Sequence, residues 1–407
     1  MIWCCSQRGR GPDTRHHSSS FEIMAIIVQR PTSTSRVVIV GGGVIGCMTA
    51  YYLTRAGVSD VVVVEREGVA SGASGYSAGM LTPYSGSNDP GLLALSSASL
   101  ELHAELAEEL PAVTGIDHGY DMVPYLRCTF AESGYNEARK FMDDRVADGL
   151  EAEWLTGEEA RSVCDWLSDE VEGACLTSIE PSVDSRLLTK SVLKAAEMGG
   201  ARLVDGEVVG MDSRLRGNDV GVVLADGSTI EADVVVLAMG PWSKNASGWL
   251  GYEIPVEPQK GELLYMYTGG DHPKPPMTMH NMDDGGVIFP RRLSPTILGA
   301  TKEDGKGYDR EPSEYAWEFI IPRVQRLSQR IDRSVVSHQT ACLRPMPLDG
   351  KPYVGLAPGW ENVYIASGHW SEGVHYGPLT GKSIAELITD GETSTDISAI
   401  DAGRVEL

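Results

Sequence analysis

Membrane spans, disulfide frameworks and metal-binding motifs are missing from this 407-residue sequence. Its longest apolar runs, such as Val61–Val64 and Val234–Met239, are far shorter than the roughly 18 residues of a membrane span. The seven cysteines contain no CxxC pair, and the nine histidines form no HExxH motif. We therefore expect no integral membrane segment, no disulfide framework and no metal, and a reducing cytoplasm as the location.

Basic residues are also scarce, because 34 Lys and Arg stand against 57 Asp and Glu, which makes the formal net charge −23. A surface of this sign repels the phosphates of nucleic acids and anionic membranes, so nucleic acid is not an expected partner. With 42% apolar and 22% charged residues, the composition is typical of a globular protein. The length suits about two or three domains.

Residues 1–35 differ from the rest of the chain, since they are polar and show no helical or strand period. A secretory signal needs a basic start and an apolar core of about 7–15 residues. The one candidate core, residues 21–28, is interrupted by Glu22. We interpret residues 1–35 as a disordered tail, or as the result of a translation start assigned too early. In the second case Met24 is the first residue of the protein. A targeting peptide is the remaining alternative.

A strand–helix–strand unit with a glycine-rich turn follows the tail. The β-branched run Arg36–Val40 leads into a GxGxxG motif that consists of Gly41, Gly43 and Gly46. Apolar residues then recur at helical spacing, and a second buried strand ends at Glu65. The whole unit has the length of about 30 residues that a dinucleotide-binding fingerprint requires.

Each part of this unit suits a dinucleotide. The first glycine permits the tight turn, the second lets the backbone approach a pyrophosphate, and the third lets helix and strand pack closely. The helix N-terminus offers free N–H groups and a positive dipole end to the anion. Glu65, about 20 residues further on, is placed to accept hydrogen bonds from ribose hydroxyls. This context favours a dinucleotide site over an ordinary turn but does not separate NAD from FAD.

The next segment, SGASGYSAGML (71–81), is small, polar and rich in glycine. With it, the chain resembles the D-amino-acid oxidase superfamily of FAD enzymes, and within it most closely the glycine oxidases of thiamine biosynthesis. The similarity extends from about Arg36 to Ile388. Four further segments carry it, namely GARLVDGEVVGM (200–211), ADVVVLAMGPWS (232–243), CLRPMPLDGKPYVG (342–355) and ASGHWSEGVHYGP (366–378).

The resemblance implies FAD as the cofactor, held by residues from several segments. The residues implied to contact it are Gly41, Gly43, Val44, Ile45, Gly46, Glu65, Arg66, Ser74, Ala78, Gly79, Met80, Val208, Ala238, Gly240, Gly368, Gly373 and Val374. The last three are implied to lie at a helix N-terminus, whose positive dipole end stabilises the charge of reduced flavin.

Arg344 is the catalytic-site residue that the resemblance implies. The arginine of the family's Leu-Arg-Pro motif binds the substrate carboxylate through a planar two-donor fork. That grip orients the Cα–H bond toward flavin N5, so hydride transfer needs positioning and a neutral amine rather than a strong protein base. A structural arginine paired with an acid is the alternative.

The implied function is FAD-dependent oxidative deamination of a small amino acid, such as glycine, sarcosine or a small D-amino acid. The products are an imine or 2-oxo acid, ammonia or an amine, and H2O2, with O2 as the electron acceptor. A D-amino-acid dehydrogenase with another acceptor and a sarcosine-oxidase-like N-demethylase are alternatives. A flavoprotein that binds its cofactor but catalyses no reaction is a third alternative. Whether the protein forms a homo-oligomer stays open.

Two departures from the glycine oxidase pattern concern the substrate carboxylate. Val287 stands where the family has a tyrosine, and Ser371 stands where it has an arginine. Both changes remove polar partners from a buried anion. Candidates to compensate are Tyr265, His375 and Tyr376.

Two further residues are candidates for a chemical role. Cys342 occupies the position at which sarcosine-oxidase relatives attach flavin covalently, but we interpret it as a small buried thiol. His369 is interpreted as a turn residue beside the flavin rather than as a base.

The expected fold class is α/β. A Rossmann-like, doubly wound FAD/NAD(P)-binding domain accompanies an α+β substrate domain built on an antiparallel sheet, with the ligand between them. The expected FAD-binding domain comprises 36–90, 170–247 and 345–395. The expected substrate domain comprises 91–169 and 248–344, and residues 396–407 form a flexible tail.

Overall fold

The computed structural model describes residues 35–82, 89–147, 151–212, 220–268 and 273–404. The expected disordered tail lies outside these residues except for Ser35, and so do residues 405–407. Strands and helices are numbered below in chain order.

A six-stranded, largely parallel sheet contains the N-terminal βαβ unit. Its strands are β1 (Arg36–Val40), β2 (Asp60–Glu65), β6 (Arg202–Asp205), β10 (Val234–Leu237), β16 (Tyr353–Leu356) and β17 (Val363–Ser367). They lie in the order β16-β17-β10-β1-β2-β6, and only β16 is antiparallel to its neighbour among the described pairings. Most residues of β1, β2 and β10 are buried, which explains their continuous valine and isoleucine runs.

An eight-stranded sheet forms the second layer of the molecule. Its strands are β3 (Asp121–Thr129), β4 (Ala152–Thr156), β5 (Gly173–Ser182), β11 (Val256–Thr268), β12 (Thr278–Asn281), β13 (Val287–Phe289), β14 (Thr296–Gly299) and β15 (Ser334–Pro347). The order is β15-β11-β14-β13-β12-β3-β5-β4, and all described pairs are antiparallel except β12 with β3. A third, three-stranded sheet consists of β7 (Val208–Asp212), β8 (Val220–Leu224) and β9 (Thr229–Ala232).

Helices cover these sheets. The α-helices are α1 (Val44–Arg55), α2 (Ala73–Tyr76), α3 (Pro90–Thr114), α4 (Glu132–Ala147), α5 (Gly157–Val163), α6 (Ser185–Met198), α7 (Ser247–Leu250), α8 (Glu314–Leu327) and α9 (Gly373–Thr389). Short 3₁₀ helices span Gly240–Ala246, Gln329–Arg333, Trp370–Glu372, Ser398–Ile400 and Ala402–Arg404. None of the helices in the described ranges combines the length and the apolar character needed to cross a bilayer.

The two faces of the six-stranded sheet are covered differently. Helices α1, α3, α6 and α9 share one hydrophobic core with the first face. The three-stranded sheet and the chain around Leu250 cover the second face. Helices α5 and α8 cover one face of the eight-stranded sheet, so the opposite face of that sheet is left to meet the first layer.

Three segments lie elsewhere than the sequence expectation assigns them. Helix α3, within the expected substrate segment 91–169, packs on α6 and α9 of the first layer through its apolar stripe. Strand β5, within the expected FAD segment 170–247, pairs with β3 and β4 in the larger sheet. Residues 396–404, expected to be flexible, bury Ile397, Ile400 and Ala402 against the first layer. Amphipathic patterns indicate buried faces but not which neighbour covers them, and the division into two domains stays a proposal.

Candidate active site

The glycine-rich turn between β1 and α1 forms one wall of a cleft. The end of β2, the start of β7 and the turn after β10 form the other walls. Eight predicted cofactor residues line the cleft, namely Gly41, Gly43, Glu65, Arg66, Ser74, Val208, Ala238 and Gly240. Trp242, interpreted from the sequence as a packing or flavin-wall residue, also lines it, and so does Glu207, which the sequence did not single out.

The turn fits a phosphate-bearing cofactor because side chains are excluded from it. Gly41 has a φ of 114°, and a Cβ atom there would lie 2.3 Å from the carbonyl oxygen of Ala238. A Cβ at Gly46 would lie 2.0 Å from the carbonyl oxygen of Gly41. At Gly43, the nearest atom would be Ser74 Oγ at 3.2 Å. The backbone is thus open to close approach by a pyrophosphate.

Two helix N-termini meet beside this turn. Helix α1 begins at Val44, whose N–H donates to Ser74 Oγ (2.9 Å), and α9 begins at Gly373. In the described part of the chain, neither helix receives a capping hydrogen bond from the side chain of its N-cap residue. A Cβ at Gly377 would lie 3.1 Å from Val44, and one at Gly381 would lie 2.5 Å from Met48. The helices therefore run parallel in close contact, with two positive dipole ends side by side.

Helix α3 holds the first turn of α9. Pro378 lacks the N–H that would bond the carbonyl of Val374. His103 Nε2 donates to that carbonyl instead (3.0 Å). Burial lowers the pKa of His103 to about 4, so the ring is neutral. Predicted cofactor residues Gly373 and Val374 thus owe their position partly to a helix that sequence reasoning assigns to the other domain.

Glu65 and Arg66 lie at the end of β2. The Glu65 carboxylate accepts hydrogen bonds from the N–H groups of Gly42 (2.7 Å) and Glu67 (2.8 Å), which holds it against the turn. Arg66 lies over the ring of Trp242 at 4.4 Å and pairs with Glu207 at 3.0 Å. Both predicted residues are therefore fixed at the cleft wall.

Predicted residues Ala78, Gly79 and Met80 connect the two layers. Gly79 has a φ of 77°, and a Cβ there would lie 2.0 Å from the carbonyl of Val183. The carbonyl of Ala78 accepts a hydrogen bond from Arg291 (2.9 Å). Ala78 and Met80 pack against the open face of the eight-stranded sheet, at Leu263, Phe289 and Ile297. Residues 78–80 therefore form part of the boundary between the sheets.

Arg344 lies on β15, in register with Gln259 of the neighbouring strand β11. Its Nη1 donates to the carbonyl of Lys260 (3.4 Å), and a Cβ at Gly261 would lie 2.2 Å from the same nitrogen. Burial lowers the pKa of Arg344. In the described part of the chain, no carboxylate forms an ion pair with it. This guanidinium therefore suits an external anion better than the structural role considered as the alternative.

Of the three candidates to compensate for Val287 and Ser371, Tyr265 is the one that packs at the boundary between the sheets in the described structure. It packs in one cluster with Val287 and Met80, and it stacks on His338 with ring centroids 4.1 Å apart. His375 and Tyr376 were the wrong choices. Their α9 positions face α3, where His375 bonds to Ser96 (2.8 Å) and Tyr376 to the carbonyl of Leu92 (3.2 Å).

His369 and Cys342 are both buried. His369 Nε2 bonds to Thr380 Oγ1 (2.9 Å), and burial lowers its pKa to about 3. Burial also raises the pKa of the Cys342 thiol, so the thiol is protonated. Gly368, which precedes His369, has a φ of 78° and packs on Tyr353. No group of side chains suited to a metal ion occurs within the described residues.

The sequence profile of the family described as FAD dependent oxidoreductase (DAO) matches residues 36–387. The chain belongs to this DAO family. The glycine oxidase of Geobacillus kaustophilus is 30% identical over 372 residues, which cover 90% of this chain and 96% of that protein. A protein of Synechocystis named bifunctional protein ThiO/ThiG is 29% identical over 380 residues, covering 91% of this chain and 54% of that protein.

The crystal structure of the Geobacillus kaustophilus glycine oxidase superposes with a TM-score of 0.85 at 28% identity. The superposition covers 92% of this chain and all of that one. DAO-family membership confirms the predicted resemblance, the fold class and FAD as the cofactor. It also confirms the predicted enzyme class, an FAD-dependent amino-acid oxidoreductase acting on CH–NH bonds.

Sequence reasoning missed Gly261, although this glycine makes room for Arg344. A lone glycine in the strand pattern is the signal that points to such a close approach. Its partner could not be read from the sequence, because the pairing of Gly261 with Cys342 depends on the register of β11 and β15.

Proposed function

We propose that the protein catalyses FAD-dependent oxidative deamination of a small amino acid. Glycine, sarcosine and small D-amino acids are the substrate candidates. The imine is hydrolysed to a 2-oxo acid, releasing ammonia or an amine, and O2 is the acceptor that yields H2O2. The observation that carries the proposal is the partly buried guanidinium of Arg344, which lies over Gly261 and has no carboxylate partner among the described residues.

The chain's own residues would position the substrate. Arg344 binds its carboxylate through two parallel N–H donors, and the glycine at 261 leaves the fork free to lie flat on the sheet. Ala78, Met80 and Leu263 supply an apolar wall that excludes water from the reacting carbon. When bound, FAD supplies the hydride acceptor. Positioning is therefore the main contribution that this site makes to the rate.

The proposed FAD contacts follow the cleft. The glycine-rich turn and the N-terminus of α1 would hold the pyrophosphate, and Glu65 would accept hydrogen bonds from ribose hydroxyls. The N-terminus of α9 would face the flavin ring. Buried histidines such as His369, with a pKa of about 3, stay neutral and do not compete for the substrate anion.

Cys342 favours one second candidate, a sarcosine-oxidase-like N-demethylase, because the thiol lies on β15 two residues before Arg344. The name ThiO/ThiG of one relative supports the predicted link to thiamine biosynthesis. A cytoplasmic location stays part of the proposal, supported by scattered cysteines without a disulfide pattern.

An anaerobic flavin-reduction screen tests the proposal. The purified holoenzyme is mixed with glycine, sarcosine, other N-alkylglycines and both enantiomers of small amino acids. Loss of the flavin absorbance with at least one of them is the expected result. Stable absorbance with every compound would contradict the proposal and favour a flavoprotein without turnover. For a compound that reduces the flavin, O2 consumption with H2O2 formation separates an oxidase from a dehydrogenase, and formaldehyde from sarcosine indicates N-demethylation.

A further inference from the structure

A second cation lies on the same side of the larger sheet as Arg344. Lys302 follows β14, two residues after Ala300, which packs with the apolar cluster at the boundary between the sheets. Thr301, between them, is fully buried on the other side, where its Oγ1 accepts from the N–H of Glu262 (2.9 Å) and donates to Glu303 (2.9 Å). Lys302 is exposed. The chain thus turns the Lys302 ammonium back toward the substrate side.

Trp370 connects this ammonium with the site. The Lys302 Nζ atom lies 5.1 Å from the centroid of the Trp370 ring. The indole Nε1 of Trp370 donates to Gln259 Oε1 (2.7 Å), and Gln259 pairs in register with Arg344. Trp370 adopts a φ of 47°, which is unusual for a residue with a side chain, and this conformation helps to direct the ring. Ammonium, indole and guanidinium therefore belong to one continuous surface.

Within the described residues, Lys302 and Arg344 lack the ion-pair partners that other cations near this sheet have. Burial and the positive charge of Arg344 both lower the pKa of Lys302. The negative charge of Glu372 raises it, but this effect is smaller than the other two. Among the residues that the structure describes, neither Lys302 nor Arg344 forms an ion pair. Three other cations in or near this sheet are paired, in Arg127–Glu180 (2.7 Å), Arg291–Asp184 (2.9 Å) and Lys260–Asp309 (2.8 Å). Two neighbouring cations that repel each other are stabilised when anionic groups bind them.

We propose that Lys302 binds a second acidic group of the substrate, so that the preferred substrates are amino acids with two carboxylates. The proposal rests on the function proposed above and refines its substrate class. Arg344 binds the carboxylate next to the reacting carbon, and Lys302 binds the one on the side chain or on the nitrogen substituent. A residue with this role determines specificity, because glycine and alanine offer it no partner.

Ligand binding gives a test that does not need turnover. The holoenzyme is titrated with malonate or acetate, and the change in flavin absorbance gives the Kd. The wild type is expected to bind malonate about 10-fold more tightly than acetate, and Lys302→Gln should remove most of this difference. Lys302→Arg should keep it. Lys306→Gln is the matched control, because Lys306 is an exposed lysine that contacts Glu303 (3.7 Å) on the same loop.

Turnover provides the second arm. D-Aspartate and N-(carboxymethyl)glycine are compared with D-alanine and sarcosine in anaerobic flavin reduction. Lys302→Gln is expected to lower kcat/KM about 10-fold for the diacids and less than about 2-fold for the monoacids. Equal binding of malonate and acetate by the wild type, or equal losses for both substrate groups in Lys302→Gln, would overturn the proposal. Binding of malonate through Lys302 without oxidation of either group would overturn the proposed function but keep the second anion site.

Discussion

The guanidinium of Arg344 lies directly over the Cα atom of Gly261 on the neighbouring strand. A Cβ at position 261 would fall 2.2 Å from Nη1 and 2.4 Å from Cζ of this arginine. The two residues are not direct partners in the sheet, since Gly261 pairs with Cys342 and Arg344 with Gln259. The arginine therefore crosses diagonally over the glycine, and its orientation depends on the missing side chain.

Gly261→Ala is expected to displace Arg344 and raise KM for the substrate by about 10-fold or more, because a guanidinium moved by 1 Å loses its two-donor geometry. FAD content should stay at the wild-type level. Steady-state kinetics and the flavin absorbance ratio measure both effects. Gly248→Ala is the matched control, since beyond its chain neighbours and its own helix backbone no described atom lies within 4 Å of a Cβ built there. Unchanged kinetics in Gly261→Ala would contradict the assigned geometry.

Arg344→Ala is expected to lower kcat/KM by at least about 100-fold while FAD remains bound, because the substrate loses its charged, two-donor anchor. Arg344→Lys should recover only part of the loss, since an ammonium is a point charge without the planar fork. Anaerobic flavin reduction at a series of substrate concentrations separates binding from the rate of reduction. Arg292→Ala, at an exposed arginine that pairs with Asp117, serves as the control. Wild-type kinetics in Arg344→Ala would refute the role.

Acid should destabilise the fold between about pH 6.5 and pH 4. Burial lowers the pKa of His103 from 6.5 to about 4 and that of His369 and His375 to about 3. As the pH falls below 6.5, the unfolded chain therefore binds protons before the folded protein does. Each buried histidine then costs up to about 1.4 kcal/mol of stability per pH unit.

Urea unfolding of the holoenzyme at pH 7, 6 and 5 measures this dependence. His103→Gln keeps a hydrogen-bond donor near the carbonyl of Val374 but does not titrate, so its slope of stability against pH should fall by about one proton. His338→Gln, at an exposed histidine, should change the slope much less. A His103→Gln slope equal to that of the wild type would show that this histidine is not held neutral.

The flavin is expected to be bound without a covalent bond to Cys342. Burial raises the pKa of this thiol, and a protonated thiol is a poor nucleophile. Acid precipitation should therefore release all of the yellow colour into the supernatant. A yellow pellet from the wild type and a colourless pellet from Cys342→Ala would identify a thioether to the flavin and would favour the N-demethylase alternative.

The glycine-rich turn was predictable because its requirements are local. Gly41, Gly43 and Gly46 lie within one βαβ unit, and each excludes a side chain for a reason that the motif itself states. The role of Arg344 was predictable only through the resemblance, because an arginine within a strand pattern does not by itself indicate a function. The structure adds that it stands over Gly261 and, within the described residues, has no carboxylate partner.

Contacts between distant segments were not predictable. The pattern of α3 indicates a buried stripe, but not that this stripe covers the first turn of α9. His375 and Tyr376 are suitable residue types for the substrate site, yet the rotation of α9 directs them to α3. Nothing in the sequence alone distinguishes Lys302 from the other lysines.

The sequence by itself determined that this chain builds a dinucleotide-binding turn, because backbone conformation and close approach are set by neighbouring residues. Only the tertiary structure decided which cations near the larger sheet pair with carboxylates and which, within the described residues, do not. That outcome depends on strand register and helix rotation, which arise when segments far apart in the chain bury their apolar faces together.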